Sequence, residues 1–169
     1  ALSAEEAAEY YTDDWSETTV KTNVAQNKAA GGTSYKSGDA VDNAERRINV
    51  AFKAFDGDAF TEKEDTTAKP DTSTSEMNSF WKGYHADSSL CVDLGETRTV
   101  SEVEIQWRYG GKGKDFNILV SDDGENWTTA KEVRGNGDFF NTVSLDEPTE
   151  ARYVKMQGIA SNASAGIYM

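Results

Sequence analysis

Apolar and polar residues alternate most cleanly in the second half of the chain. Leu90, Val92 and Leu94 alternate with polar or small residues and stop at Gly95. Val103, Ile105 and Trp107 alternate against Glu102, Glu104, Gln106 and Arg108. Phe116, Ile118 and Val120 do the same and run into Ser121-Asp122-Asp123-Gly124, a hairpin-type turn. Trp127 opens a further strand, Val143 and Leu145 mark the next, and Val154 with Met156 the last clear one. A period of two with a single apolar face belongs to a strand buried on one side only. Short strands of this kind, separated by turns and without helical crossovers, predict an all-β, antiparallel sandwich and argue against a parallel sheet. Trp81 and Trp107 are expected in the core. Counting back from Leu145 and Val143 points Phe139 inward and Phe140 outward. Cys91 faces away from Leu90 and Val92, so its thiol is either covered by loops or exposed.

The first half has a different texture. In residues 1–22, Ser3 with Glu6 forms a capping-box pattern, and Ala4 to Tyr11 is a good helix-forming run. Tyr10, Tyr11 and Trp15 either pack that helix on the body or meet a neighbouring module. Residues 1–22 are therefore expected as a linker or peripheral helix, and residues 23–169 as the domain proper. Residues 23–45 are rich in Asn, Gly, Ser and Asp, which predicts a short strand and then a long loop. Ile48, Val50, Phe52 and Phe55 suit a brief helical turn over Arg46 to Phe55. The stretch from Asp56 to Ser79, with Pro70 and many Thr and Ser, reads as loop.

Composition narrows the function. A chain of 169 residues suits one domain with a real core, and 11% aromatic residues oppose wholesale disorder despite the polar balance. A formal charge of −13 disfavours nucleic acid and anionic membranes as partners. With one cysteine and one histidine, neither an internal disulfide nor a zinc cluster is expected. No apolar run is long enough to span a bilayer, so no membrane insertion is expected. No signal peptide opens the chain, and Ala1 reads as the start of a mature protein or of an excised fragment.

One short stretch stands out between the helical turn and the long loop: Ala54-Phe55-Asp56-Gly57-Asp58, with Thr61 close behind. Glycine lets the backbone fold back sharply, so the stretch is either simply a turn or a cradle of oxygens for a hard cation such as calcium.

Its company favours the second reading. Asn23-Val24-Ala25 with Asn27-Lys28, then the Asp-Gly-Asp stretch with Thr61, then Phe80-Trp81 appear in that order. They are followed by Val92-Asp93-Leu94-Gly95, Asp115-Phe116-Asn117-Ile118, Ser121-Asp122-Asp123-Gly124 with Trp127, and Ala151-Arg152-Tyr153-Val154. Over residues 23–169 this order resembles the discoidin, or coagulation-factor C-type, domain family, and more narrowly the bacterial family 32 carbohydrate-binding modules. The resemblance implies a jelly-roll sandwich of about eight strands, a structural calcium ion, and a ligand surface on loops at one end. It implies ion ligands at Phe55 (main-chain carbonyl), Asp56, Asp58 and Thr61. The family usually adds a Glu just after the equivalent of Gly166-Ile167-Tyr168-Met169. The sequence stops at Met169, so either the chain is a fragment or its calcium site is weaker.

The resemblance also implies a sugar site at Lys82, Arg108, Asn136 and the Phe139/Phe140 pair, with Phe140 the better stacking face. His85, beside Tyr84 in the loop after Trp81, and Tyr35 in the first long loop are further candidates. Aromatic faces stack on the C–H-rich faces of sugar rings while a few polar groups select hydroxyl orientation. Galactose-binding relatives commonly carry His where this chain has Lys82. Lys82 with Arg108 therefore suits a carboxylated or sulfated sugar as well as a galactose-type one. The blander alternatives are a surface salt bridge for Arg108, a turn role for Asn136 and plain solvation for Lys82 and His85.

No nucleophile elbow, zinc-binding helix or phosphate loop is present, and Gly110-Gly111-Lys112-Gly113-Lys114 lacks the Ser or Thr that a phosphate loop needs after its lysine. The expectation is a non-catalytic, monomeric, secreted or cell-surface module that binds glycan and is carried by a larger glycan-active enzyme. A discoidin-like adhesion or protein-interaction domain is the alternative. Calcium is testable directly: a chelator should lower the thermal midpoint, whereas an unchanged midpoint contradicts a structural ion.

Overall fold

The computed structural model describes residues 21–32, 51–55, 81–107, 111–162 and 166–169. They form seven strands: β1 (Ala29–Gly32), β2 (Lys82–Gly83), β3 (Ser89–Gln106), β4 (Gly113–Ser121), β5 (Thr128–Val133), β6 (Phe140–Ser161) and β7 (Ile167–Tyr168). A 3-10 helix covers Ala51–Ala54, where the sequence predicts a brief helical turn. The strand order is β1-β3-β6-β4-β5, with β2 and β7 paired separately, and every pairing is antiparallel.

The apolar alternation explains the core. Leu90, Val92 and Leu94 of β3, Phe116 and Ile118 of β4, and Val154 and Met156 of β6 are buried. So are Ile105, Trp107, Val143 and Leu145, which belong to the other halves of the same long strands or follow them directly. All of them meet in one cluster with Trp81 and Ile167. The two halves of the β3–β6 ladder thus face each other across a single core, as the two layers of a sandwich must.

This arrangement modifies one expectation. The alternation predicts separate strands at Leu90–Leu94 and Val103–Trp107, and again at Val143–Leu145 and Val154–Met156. Each pair lies on one continuous strand, β3 or β6. The ladder slips register between Asp93 and Arg98 and again between Val100 and Glu102. Such bulges bend a strand without ending it. Gly95, at φ +86, supplies the conformation that the first bend needs.

Asp93 ties this bend together. Its two carboxylate oxygens accept hydrogen bonds from Arg152 Nε and one terminal nitrogen, both at 2.9 Å, and Oδ1 also accepts from the Gly95 N–H at 2.8 Å. Arg152 in turn lies on the face of Tyr153, 5.0 Å from the ring centroid. On the outer face of the same sheet, Lys155 Nζ stacks over Trp127 at 3.7 Å. The Cys91 thiol, beside Lys155 in the ladder, is half-buried, and that burial pushes its pKa up.

Phe55 follows the 3-10 helix, packs against the core and accepts the Asn27 N–H on its carbonyl at 2.6 Å. A carbonyl oxygen has two lone pairs, so this bond leaves a second direction for a cation. The other expected calcium ligands, Asp56, Asp58 and Thr61, lie outside the described residues, as do Tyr35 and Arg108. Lys21, at the start of the described chain, pairs with Glu102 at 2.8 Å.

The Arg152 hydrogen bonds, and then the Gly95 N–H, hold Asp93 down to about 2 from a usual 3.8. A carboxyl depressed on folding stabilises above its unfolded pKa and loses that contribution as pH falls toward its folded one. Asp93→Asn should therefore lower the denaturant midpoint at neutral pH, and the difference from wild type should fade between about pH 4 and about pH 2. A difference that persists unchanged at the acid end contradicts this role for the carboxylate.

Candidate ligand-binding site

Because β3 and β6 fold back on themselves, both ends of each arrive at the same end of the sandwich. The Trp107 N–H, just past β3, donates to Phe139 O at 2.7 Å, just before β6. At the far end of β6, the Asn162 N–H donates to Lys112 O at 3.0 Å, just before β4. The described residues next to these strand ends, among them Trp107, Lys112, Phe139 and Asn162, are thereby gathered at one end.

The loop 84–88 is anchored first. The Ser88 N–H donates to His85 O, and the His85 N–H donates to Ser88 Oγ, both at 3.2 Å, closing a tight turn. Gln157 Nε2 donates to Asp87 O at 2.7 Å, and the Gly158 N–H donates to Ser88 O at 3.0 Å. A Cβ on Gly158 would lie 2.2 Å from Ala86 O, so strand and loop backbones touch where only glycine fits. Before this loop, β2 pairs with β7, and Trp81 exchanges two main-chain hydrogen bonds with Met169 at 2.5 and 2.9 Å. Lys82 Nζ sits 4.4 Å from the Tyr84 ring centroid, which holds a cation over a half-buried aromatic. His85 is exposed beside them.

The second group comes from residues 111–113 and 134–140. Lys112 Nζ lies 4.1 Å over the Phe139 ring and donates to Gly137 O. Phe139 is buried and Phe140 half-buried, as the alternation predicts. Asn136 is only 8% exposed. Its Nδ2 donates to Gly113 O at 2.8 Å and, at a long 3.4 Å, to Asp138 O. Its Oδ1 accepts from the Asp138 N–H at 3.0 Å and from Asn141 Nδ2 at 2.9 Å.

The structure places two of the expected site residues inside the protein. Asn136 was a candidate sugar contact, but both faces of its amide are fully engaged inside the protein. Phe139 was a candidate platform, but it is buried and Lys112 covers one face of its ring. Lys82 and His85 lie next to and within the anchored 84–88 loop, and Phe140 opens β6. Sequence reasoning passed over Lys112 because it lies in a glycine-rich turn. It also passed over Ile159, 46% exposed near the end of β6, although an outward apolar residue there breaks the alternation. That break was the available signal.

A broad, open hollow of about 600 Å³ lies elsewhere, beside the bend of β3, and is lined by Thr22, Asn23, Lys28, Arg98, Thr99 and Glu150. Its polar groups pair among their neighbours: Arg98 with Glu96, and Thr99 with Glu150. Its lining carries no aromatic residue, whereas a sugar platform needs an aromatic face with a few polar groups beside it, so the loop end is the stronger candidate.

Comparison with known proteins bears on the fold and the family. No curated protein sequence matches the chain. Among solved structures, a chitosan-binding module in complex with chitotriose, from a chitosanase/glucanase of Paenibacillus sp. IK-5, is similar at TM-score 0.63 and 22% identity, over 86% of this chain and 94% of that one. The family 32 module of C. perfringens NanJ, in complex with galactose, gives TM-score 0.55 and 21% identity over 85% and 94%. A further family 32 module from Clostridium perfringens, in complex with GalNAc-β-1,3-galactose, gives 0.56 and 19% over 84% and 94%. These likenesses establish the sandwich fold. The family model for the F5/8 type C domain matches residues 34–169, and the chain belongs to that family.

Proposed function

We propose that this domain is a non-catalytic carbohydrate-binding module that holds a larger glycan-active enzyme on its substrate. The observation that carries the reading is the set of hydrogen bonds that gathers the 84–88 loop, residues 112–114, residues 136–139 and Asn162 at the ends of β3 and β6, with Lys82 and Phe140 next to them in the chain. The structural neighbours named above support it, since they are modules bound to chitotriose, galactose and GalNAc-β-1,3-galactose, and one derives from a chitosanase/glucanase.

In this reading Phe140 offers the stacking face, with Lys82 and His85 as the polar groups that orient the sugar. Arg108 and Tyr35 join them on the strength of the sequence. The Lys82 ammonium is held over Tyr84, which favours a sugar with a carboxylate or sulfate beside a galactose-type ring. A net charge of −13 works in the opposite direction at long range and limits binding to strongly anionic polymers. The predicted ligand is accordingly a single acidic or neutral terminal unit, not a polyanion. Such a module works at a secreted or cell-surface enzyme, with residues 1–22 as its linker or peripheral helix. A structural calcium ion would be held by the Phe55 carbonyl with Asp56, Asp58 and Thr61, and would tie the long first loop to the sandwich.

A panel of galactose, GalNAc-β-1,3-galactose, chitotriose, and sialylated and sulfated glycans tests the reading. The wild-type chain should bind at least one of them. Phe140→Ala and Arg108→Ala should each weaken that binding about tenfold, near the ~1.4 kcal/mol of one lost stacking or ionic contact, with the melting midpoint unchanged. Binding that survives both substitutions intact contradicts the site, and silence across the panel contradicts the function.

A further inference from the structure

Asn136 has more partners from more places than any sugar contact would need. Its N–H donates to Lys114 O at 2.8 Å, and its carbonyl accepts from Asn162 Nδ2 at 2.9 Å. Its side chain adds Gly113, Asp138 and Asn141. Asn141 extends the network, since its own Oδ1 accepts from the Trp107 indole N–H. One side chain and its peptide groups therefore join the end of β3, the start of β4, and both ends of β6. These are the segments that carry or flank the candidate ligand surface.

We propose that Asn136 is the positioning residue of the ligand-binding end: it touches no ligand, and it sets affinity by holding these four segments in the geometry that binds. The use made of that geometry rests on the glycan reading above. The positioning itself does not.

The chemistry of the site explains why the residue is an amide. Two carbonyls face Nδ2 and two donors face Oδ1, and only an amide presents donors on one side and an acceptor on the other without charge. An ionised carboxylate in the same place turns lone pairs on the Gly113 and Asp138 carbonyls. It loses the donated bonds and leaves those buried acceptors unmatched. A protonated carboxyl restores one O–H donor, suited to the 2.8 Å Gly113 contact, and keeps an acceptor for Asp138 and Asn141. Asn136→Asp is therefore a substitution of nearly unchanged shape whose damage can be reversed by protons.

Charged neighbours face the same loop. Lys112 donates to Gly137 O, Asp115 accepts the Gly135 N–H at 2.7 Å, and Arg134, Lys114 and Asp138 flank it. They are common to wild type and variant, so the ratio between the two at each pH isolates the introduced carboxyl. Burial and facing carbonyls push that carboxyl above the ordinary Asp value, so it takes up its proton as pH falls from about 7 toward about 4.

The test pairs amide hydrogen exchange with calorimetric binding of galactose and chitotriose. At about pH 7, Asn136→Asp should speed exchange, relative to wild type, at the amides of Asn136 and Asn162 while Val92 and Val154 in the ladder stay protected. Binding of whichever probe the wild type takes should weaken at least about tenfold. Toward about pH 4 both differences should shrink. Unchanged exchange at neutral pH overturns the proposal. So does a loss that persists at the acid end, because ordinary structural damage would not respond to one proton. If the wild type takes neither probe, exchange alone decides the positioning role, and the silence counts against the glycan reading instead.

Discussion

The structure depends on one constraint: a single antiparallel ladder, β3 with β6, has to bury apolar side chains from both of its halves in the same core. A flat ladder of these lengths, 18 and 22 residues, would leave one half facing water. The ladder therefore bends back on itself, and the bend needs register slips, a glycine at positive φ and a clamp. Gly95 supplies the conformation, and the Asp93–Arg152 pair with the Gly95 amide supplies the clamp. Once Leu90, Val92, Val154 and Met156 lie opposite Ile105, Trp107, Val143 and Leu145, the sandwich is defined and the remaining strands add to its edges.

The bend also makes the end of the sandwich that is proposed to bind ligand. Folding two long strands double returns all four of their ends to one place, and the connecting loops follow. Those loops are poor in apolar residues, so packing alone does not order them. Main-chain and amide hydrogen bonds do that work, with Gly158 seated against the 84–88 loop and Asn136 joining the segments on the other side. Rigidity at such a surface favours binding because less conformational freedom is lost when a ligand arrives.

Much of this was legible in the sequence. A period of two identified the inward faces of β3, β4 and β6, and the same period correctly separated Phe139 from Phe140. The bend was not legible, because Gly95-Glu96-Thr97-Arg98-Thr99 is polar and looks like the end of one strand and the approach to another. A bulge continues the ladder through residues whose side chains all face solvent, so hydrophobic patterning carries no trace of it. The role of Asn136 was hidden for a different reason. Gly135-Asn136-Gly137 has the composition of any turn, and its partners at Gly113, Asn141 and Asn162 are brought to it only by the fold. Lys112 was obscured likewise by the glycines around it.

The most direct test of the account is a heteronuclear NMR titration of the labelled chain with the best-binding glycan from the panel. The account predicts that amide shifts move at residues 82–88, at 136–140 and around Asn162, and that the bend near Asp93 and the outer face around Trp127 and Lys155 stay still. Shifts confined to that outer face, or to the hollow beside Arg98 and Glu150, with the loop end silent, would contradict it.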